Sequence, residues 1–263
     1  MLLSPALSTA SPADTAPLPL PEALHASVWR AHQLGRPGTA VLASGFAELD
    51  AQLPGGGWPL QTLTELLLPH AGLGELRLLA PVLVAQQREQ RCLMWFDPPA
   101  APCAWALSAL GIDMRQLVVV RSRQPLKSRA RERLPAADVL WALEQALKSG
   151  HVGAVLAWLP ARLPADALRR LQLAAQAHGG VAFLLRDAAL HTQPSPAPLR
   201  LLLASAGPDL LRVALLKRRG PPLALPLTLT LPPVLSAPAL ARALRPVAAV
   251  YEAPLPAARA WSS

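Results

Sequence analysis

Cysteine is almost missing from this chain: Cys92 and Cys103 are the two present, and neither stands in metal-ligand spacing or in a disulfide framework. That excludes a disulfide-stapled secreted scaffold and a cysteine-held zinc site, and it fits a reducing cytosol. Lysine is scarcer than the charge suggests, occurring only at Lys127, Lys148 and Lys217, so the formal net charge of +9 rests on arginine. Such a balance speaks to association with nucleic acid or an acidic partner, and says nothing of fold. The six histidines are scattered, with no His/Cys/carboxylate cluster to hold a metal. Neither a Gly-x-Ser-x-Gly element nor a pair of carboxylates points to a hydrolase. Residues 220 to 241 form an uncharged run as long as a membrane span, but Pro221, Pro222, Pro226, Pro232, Pro233 and Pro238 break the internal hydrogen bonding that a bilayer demands. No charged segment leads an apolar core at the N-terminus, where Ser, Ala, Thr and Pro dominate.

What is present is one sizeable α/β unit with tails, since 263 residues would make two full domains a squeeze. Residues 1–20 read as a disordered leader and 21–43 as an N-terminal helix and linker, with Leu24, Val28, Trp29 and Ala31 on the apolar side of that helix. Residues 44–232 read as the core and 233–263 as an Ala/Pro-rich tail. Within the core, strand and helix patterns alternate. Residues 63–68, 92–96, 117–120, 152–159 and 181–185 read as strands, with 92–96 and 117–120 expected to be buried. Between them, helices follow Gly74, span 101–110, follow a cap at Asp138 and follow a cap at Asp166 as far as His178. Pro81 should kink or interrupt the first of these. Alternation at this spacing predicts a mainly parallel sheet flanked by helices. Residues 199–205 and 210–217 flank a turn sequence and predict a hairpin, and leucines at 223, 225, 227, 229 and 231 in period two predict a further edge strand, so antiparallel strands extend the sheet at the C-terminal end.

The stretch that organises the rest runs from Glu65 to Leu79, an apolar strand, a glycine-bearing turn and a helical pattern. A working phosphate loop of the form G-x-x-x-x-G-K-[ST] uses glycines to wrap phosphate, a lysine to reach the β/γ oxygens and a hydroxyl for Mg²⁺. Aligned on Gly74, with Gly72 beside it, the first glycine position holds Pro69, the lysine position Glu75 and the hydroxyl position Leu76. A carboxylate repels a triphosphate and leucine holds no magnesium. The turn has the layout of a nucleotide site without its chemistry, so no cofactor is expected. A second feature is the basic stretch Arg121, Arg123, Lys127, Arg129, Arg131 and Arg133, opposed by Glu132 alone. It reads either as a solvated connection or as a loop meeting DNA phosphates, weakly and without sequence preference; binding of the second kind falls steeply with salt.

Several ordered motifs across residues 27 to 231 together resemble the RecA core. Ser44-Gly-Phe-Ala-Glu-Leu-Asp50 with Leu53-Pro-Gly-Gly-Gly-Trp-Pro59 is similar to the lead-in to its phosphate loop, and Phe96-Asp97 and Ala109-Leu-Gly-Ile-Asp113 follow in the same order. Gly72-x-Gly-Glu-Leu-Arg-Leu-Leu79, Trp141-Ala-Leu-Glu-Gln-Ala-Leu147, Ala154-Val-Leu-Ala-Trp158, Leu168-Arg-Arg-Leu-Gln-Leu-Ala-Ala175 and Leu216-Lys-Arg-Arg-Gly220 resemble more closely the RecA-like ImuA family of bacterial mutagenic repair cassettes. The division inhibitor family SulA shares this degenerate core and competes with it.

The resemblance implies a RecA-like fold in which Trp158 stands at the acid ending the Walker B strand and Pro99 at the catalytic glutamate. With Glu75 and Leu76, these substitutions leave no route to phosphoryl transfer. It further implies a non-enzymatic cytoplasmic protein of SOS-induced translesion synthesis, at the nucleoid when engaged in repair. Its implied partners are the polymerase-like ImuB, through it an error-prone replicative polymerase subunit and the sliding clamp, and RecA itself. Lys217, Arg218 and Arg219 match by position the element of a RecA filament whose two lysines reach the neighbour's ATP. If this stretch is a strand, Lys217 and Arg219 share one face. The alternatives are a SulA-type inhibitor binding the division protein FtsZ and a divergent ATPase acting as a recombinase.

Overall fold

The structure is a computed structural model that describes residues 40–122, 137–164, 166–220, 225–234 and 238–239. The expected leader, the N-terminal helix, the basic positions Arg123, Lys127, Arg129, Arg131 and Arg133, and most of the tail lie outside the described residues. In chain order the elements are β1 (Val41–Leu42), α1 (Ala47–Asp50), β2 (Trp58–Pro59), β3 (Leu63–Leu68), α2 (Glu75–Arg88), β4 (Cys92–Phe96), α3 (Ala104–Ala109), β5 (Leu117–Val120), α4 (Ala137–Lys148), β6 (Val152–Trp158), α5 (Ala167–Ala175), β7 (Val181–Asp187), β8 (Leu199–Gly207), β9 (Leu210–Lys217) and β10 (Leu227–Thr230).

Strands that are apolar on both faces can only be stable when both faces are covered. The runs of β3 and β6 are buried at every residue, and β7 is buried as far as Arg186. They lie inside an eight-stranded sheet of order β10-β9-β8-β3-β7-β6-β4-β5. All neighbours from β8 to β5 pair in parallel, whereas β9 and β10 are added antiparallel. The α/β class, with a mainly parallel sheet flanked by helices and an antiparallel C-terminal extension, is therefore as the sequence predicts. One face is covered by α2 and the β1/β2 lead-in, where Trp58 meets Phe183 edge-on at 5.1 Å. The other is covered by α4 and α5, which bury Val139, Leu140, Leu143, Ala146, Leu147, Leu171 and Ala174. Where α5 hands over to β7, Gly180 passes so close to β6 that a Cβ there would lie 1.9 Å from the Gly153 carbonyl oxygen, so the residue must be glycine.

Local expectations give way where tertiary packing overrides them. Pro81 does not interrupt α2, which is continuous from Glu75 to Arg88. Its ring seats against Gly45, and the buried Leu78, Leu79, Val82 and Leu83 on either side outweigh the lost backbone bond. Strand β5 is not buried: it is the outer strand, and Val118 is 47% exposed. Asp138 lies inside the first turn of α4 and so is not its cap. Asp166 does precede α5, but its carboxylate pairs with Arg170 without capping the helix, which ends at Ala175, short of His178. The last strand begins only after Pro226: Leu229 and Leu231 are buried while Leu225 faces solvent.

Candidate functional site

Parallel sheets bind ligands beyond the carboxyl ends of their strands, where loops and helix N-termini converge. At that end of β3 the chain turns through residues 69–74 into α2, and Gly72 (φ +82°) and Gly74 (φ +119°) adopt left-handed conformations that favour glycine. Such a turn points backbone amides inward as an anion-holding nest. Here the anion is the chain's own. The Glu75 side chain, almost fully buried, folds back so that Oε1 accepts from the Gly72 amide at 2.8 Å and Oε2 from the Gly74 amide at 3.1 Å. The residue in the lysine position thus fills the turn with its own carboxylate, beyond merely failing to attract phosphate.

The turn is also covered from the side. Arg77 in α2 pairs with Asp209 in the β8/β9 turn and donates to the Pro232 carbonyl at 3.1 Å. Leu231 leans over Gly74, where a Cβ would meet it at 2.7 Å. Thus the antiparallel extension latches onto the first turns of α2. Leu76 is half-buried against the core of the same face, and Pro69 is exposed on the turn.

Beside the turn, at the ends of β3, β6 and β7, lies an open cleft of about 160 Å³ walled by Leu68, Pro69, Pro99, Trp158, Leu159 and Leu185, with His70, Ala71 and Asp187 at its rim and Arg186 among its lining. Pro99 and Trp158, the residues that the resemblance sets at catalytic acid positions, both contribute to it. Trp158 is 7% exposed and packs edge-on against Trp95, with ring centroids 5.7 Å apart. Asp97 follows β4 with a positive φ of 48° and turns its carboxylate to the chain just past β5, accepting from the amide of Ser122 at 2.6 Å and its hydroxyl at 3.0 Å.

Beneath the cleft lies a group that sequence reasoning missed. Glu65, fully buried in the middle of β3, accepts from Arg186 Nη1 of β7 at 2.8 Å and from Arg200 Nε of β8. Other donors of the two guanidiniums are used on backbone carbonyls: Arg186 Nη2 on Ala161 and Arg200 on Leu190 and Gln193, each at 3.0 Å. The one legible signal was a glutamate inside an otherwise apolar strand.

The basic candidates among the described residues, Lys217, Arg218 and Arg219, do not converge on this site. Since β9 runs antiparallel to β8, Lys217 ends up at the opposite end of the sheet from the turn. A register shift pairs Arg200 with Lys217 but Leu201 with Leu215, bulging the strand at Leu216. Lys217 is thereby carried to the face that Arg200 occupies, and its ammonium donates to the Ser195 carbonyl at 2.9 Å. Arg218 reaches back to Gln52, and Arg219 lies exposed beyond the strand end. The expected i, i+2 pair on one strand face is therefore not formed, because the strand stops at Lys217, before its second member.

Among the described residues no group of three or more His, Cys, Asp or Glu could hold a metal ion, and no helix is long and apolar enough to cross a membrane.

A scan against known protein families finds no match. Among curated proteins the chain is similar to the cell division inhibitor SulA of Edwardsiella piscicida, 35% identical over 112 residues. It is similar also to the cell division inhibitor SulA of Yersinia pestis (strain Pestoides F), 30% identical over 110 residues. Each match takes in 42% of this chain and 60% or 58% of the relative, so the chain spans about three fifths of the length of the curated relatives it matches. The likeness is weak and consistent with the SulA-like superfamily.

Proposed function

We propose that this protein is a non-catalytic accessory component of SOS-induced, error-prone translesion synthesis, of the ImuA kind, which works by binding a polymerase-like ImuB and, through it, the error-prone polymerase subunit and the sliding clamp. The observation that carries the reading is the Glu75 carboxylate seated on the Gly72 and Gly74 amides. A fold laid out for a nucleotide has given that place to one of its own side chains, so what it retains is a surface for partners. The ordered motifs from residue 27 to residue 231, including Trp141 to Leu147 and Leu216 to Gly220, support the ImuA kind in particular. RecA is a further partner under this reading, with the exposed Arg219 and the basic residues after Arg121 as candidate contacts.

A second reading, a SulA-type division inhibitor binding FtsZ, is favoured by the similarity to curated proteins of that name. Pull-down with the full chain from DNA-damaged cells separates the two. Recovery of ImuB without FtsZ supports the first, and recovery of FtsZ without ImuB replaces it with the second.

Both readings exclude ATP turnover. Purified protein is expected to show no magnesium-dependent ATPase above background, measured as phosphate release. Glu75→Lys is expected to remain inactive, since Leu76 still offers no magnesium ligand and Pro99 and Trp158 no acid or base. Magnesium-dependent turnover by the unmodified chain would overturn both readings in favour of a divergent recombinase.

A further inference from the structure

Helices α4 and α5 lie side by side with one flank buried against the sheet, and each carries a large apolar residue on the flank that faces solvent: Trp141 is 64% exposed and Leu173 57%. The two belong to one surface. Glu144 of α4 pairs with Arg170 of α5 at 3.5 Å across the seam; Trp141 stands one turn before Glu144, and Leu173 one turn after Arg170. The helices run in the same direction, because each returns the chain between strands that are parallel in one sheet. With a rise of about 1.5 Å per residue and helix axes about 8–10 Å apart, the two apolar side chains sit diagonally across the seam, roughly 13 Å from each other. The charges around them cancel, Asp138, Glu144 and Asp166 standing against Lys148, Arg169 and Arg170. The whole formal net charge of +9 therefore lies elsewhere on the chain.

We propose that this surface docks a second copy of the chain, about a twofold axis that sets Trp141 of each copy against Leu173 of the other. The charge balance selects that occupant. Nucleic acid or an acidic protein is drawn to a positive surface, which this one is not. Two copies of a basic chain repel each other over most of their area, and a face without net charge is where they can meet. Because that face carries both signs, a copy turned over can oppose its acids to the bases of the first. Tryptophan is among the side chains that most often anchor protein contacts. Since α4 and α5 cover the face of the sheet opposite α2, pairing there leaves α2 and the turn before it open in both copies, whether the partner of the whole protein is ImuB or FtsZ.

The test is sedimentation equilibrium of the nuclease-treated full chain over micromolar concentrations. The wild type is expected to approach twice the chain mass of 27.8 kDa as concentration rises. Trp141→Glu and Leu173→Glu each bring two carboxylates into the contact, one from each copy, and should each weaken dimerisation at least tenfold while the far-ultraviolet spectrum stays unchanged. Should either variant lose its fold, Trp141→Gln or Leu173→Gln takes its place, with weakening expected in the same direction. Trp105→Glu, at a tryptophan 88% exposed on α3, is the control and should dimerise as the wild type does. A wild type that stays at the mass of one chain, dimerisation undiminished in both variants, or an equal loss with Trp105→Glu would overturn the proposal.

Discussion

Glu65→Ala will cost about 3–5 kcal/mol of folding stability, because it leaves two guanidinium groups buried without their counter-charge. Against a total that for most domains is roughly 5–15 kcal/mol, this is enough to leave much of the protein unfolded at physiological temperature. The loss should show as a large drop in the urea midpoint followed by circular dichroism. Ordinary truncation of a buried side chain could mimic it, so a second variant decides the cause. Replacing all three ionic residues together, as Glu65→Leu/Arg186→Met/Arg200→Met, removes the charges along with the partner, and buried triads exchanged this way are often neutral or better. The triple variant should therefore recover most of what Glu65→Ala loses. Full recovery is held back by the carbonyls of Ala161, Leu190 and Gln193, which lose their donors. If the triple variant proves no more stable than Glu65→Ala, the group acts through shape and not through charge.

Acid sensitivity should centre on His178. Burial, reinforced by the Arg91 guanidinium nearby, lowers the pKa of its imidazole from 6.5 to about 4. Between these values the unfolded chain takes up a proton that the folded one refuses, so falling pH favours unfolding. The stability held by the neutral ring is intact above pH 6.5, declines as pH falls, and is lost by about pH 4. A displacement of this size corresponds to roughly 3 kcal/mol. Urea midpoints at pH 7.5, 5.5 and 4 should fall more steeply for the wild type than for His178→Leu, which has no proton to gain. Carboxylates such as Glu144, whose pKa the Lys148 hydrogen bond lowers, affect both proteins alike and cancel in the comparison. Parallel slopes would show that His178 is not the group responsible.

Elements whose evidence is local were legible in the sequence, and arrangements made by distant residues were not. Val152 to Trp158 could be read as a strand from seven apolar residues, and the turn before α2 from glycines that the backbone itself requires. Nothing local distinguishes β5 from the buried strands, since Leu117-Val-Val-Val120 is as apolar as they are; only the strand order makes it an edge. The role of Pro81 depends on Gly45, which precedes it by more than thirty residues and gives the ring its space. The candidate site divides the same way. That Glu75 spoils a phosphate loop follows from its identity, but that it takes the amides for itself needs the fold of its side chain. That Lys217 and Arg219 do not share a strand face was not legible either, because nothing in the local pattern shows that the strand bulges at Leu216 and ends at Lys217.

The position of β3 also sets a schedule for synthesis. It lies in the middle of the sheet, yet its neighbours β7 and β8 come late: Glu65 meets partners 121 and 135 residues further along the chain. At a translation rate of roughly 5–20 residues per second, β3 leaves the ribosome on the order of ten seconds before either strand exists. During that interval a run of leucines with both edges open has only α2 and the lead-in to shield it, and nascent chains in that condition are what holding chaperones bind. The glutamate in its centre then has a use before folding as well as after it. An unpaired carboxylate in the middle of a strand interrupts the apolar run that like strands from neighbouring nascent chains would otherwise match, and it stays unpaired until the arginines have been made.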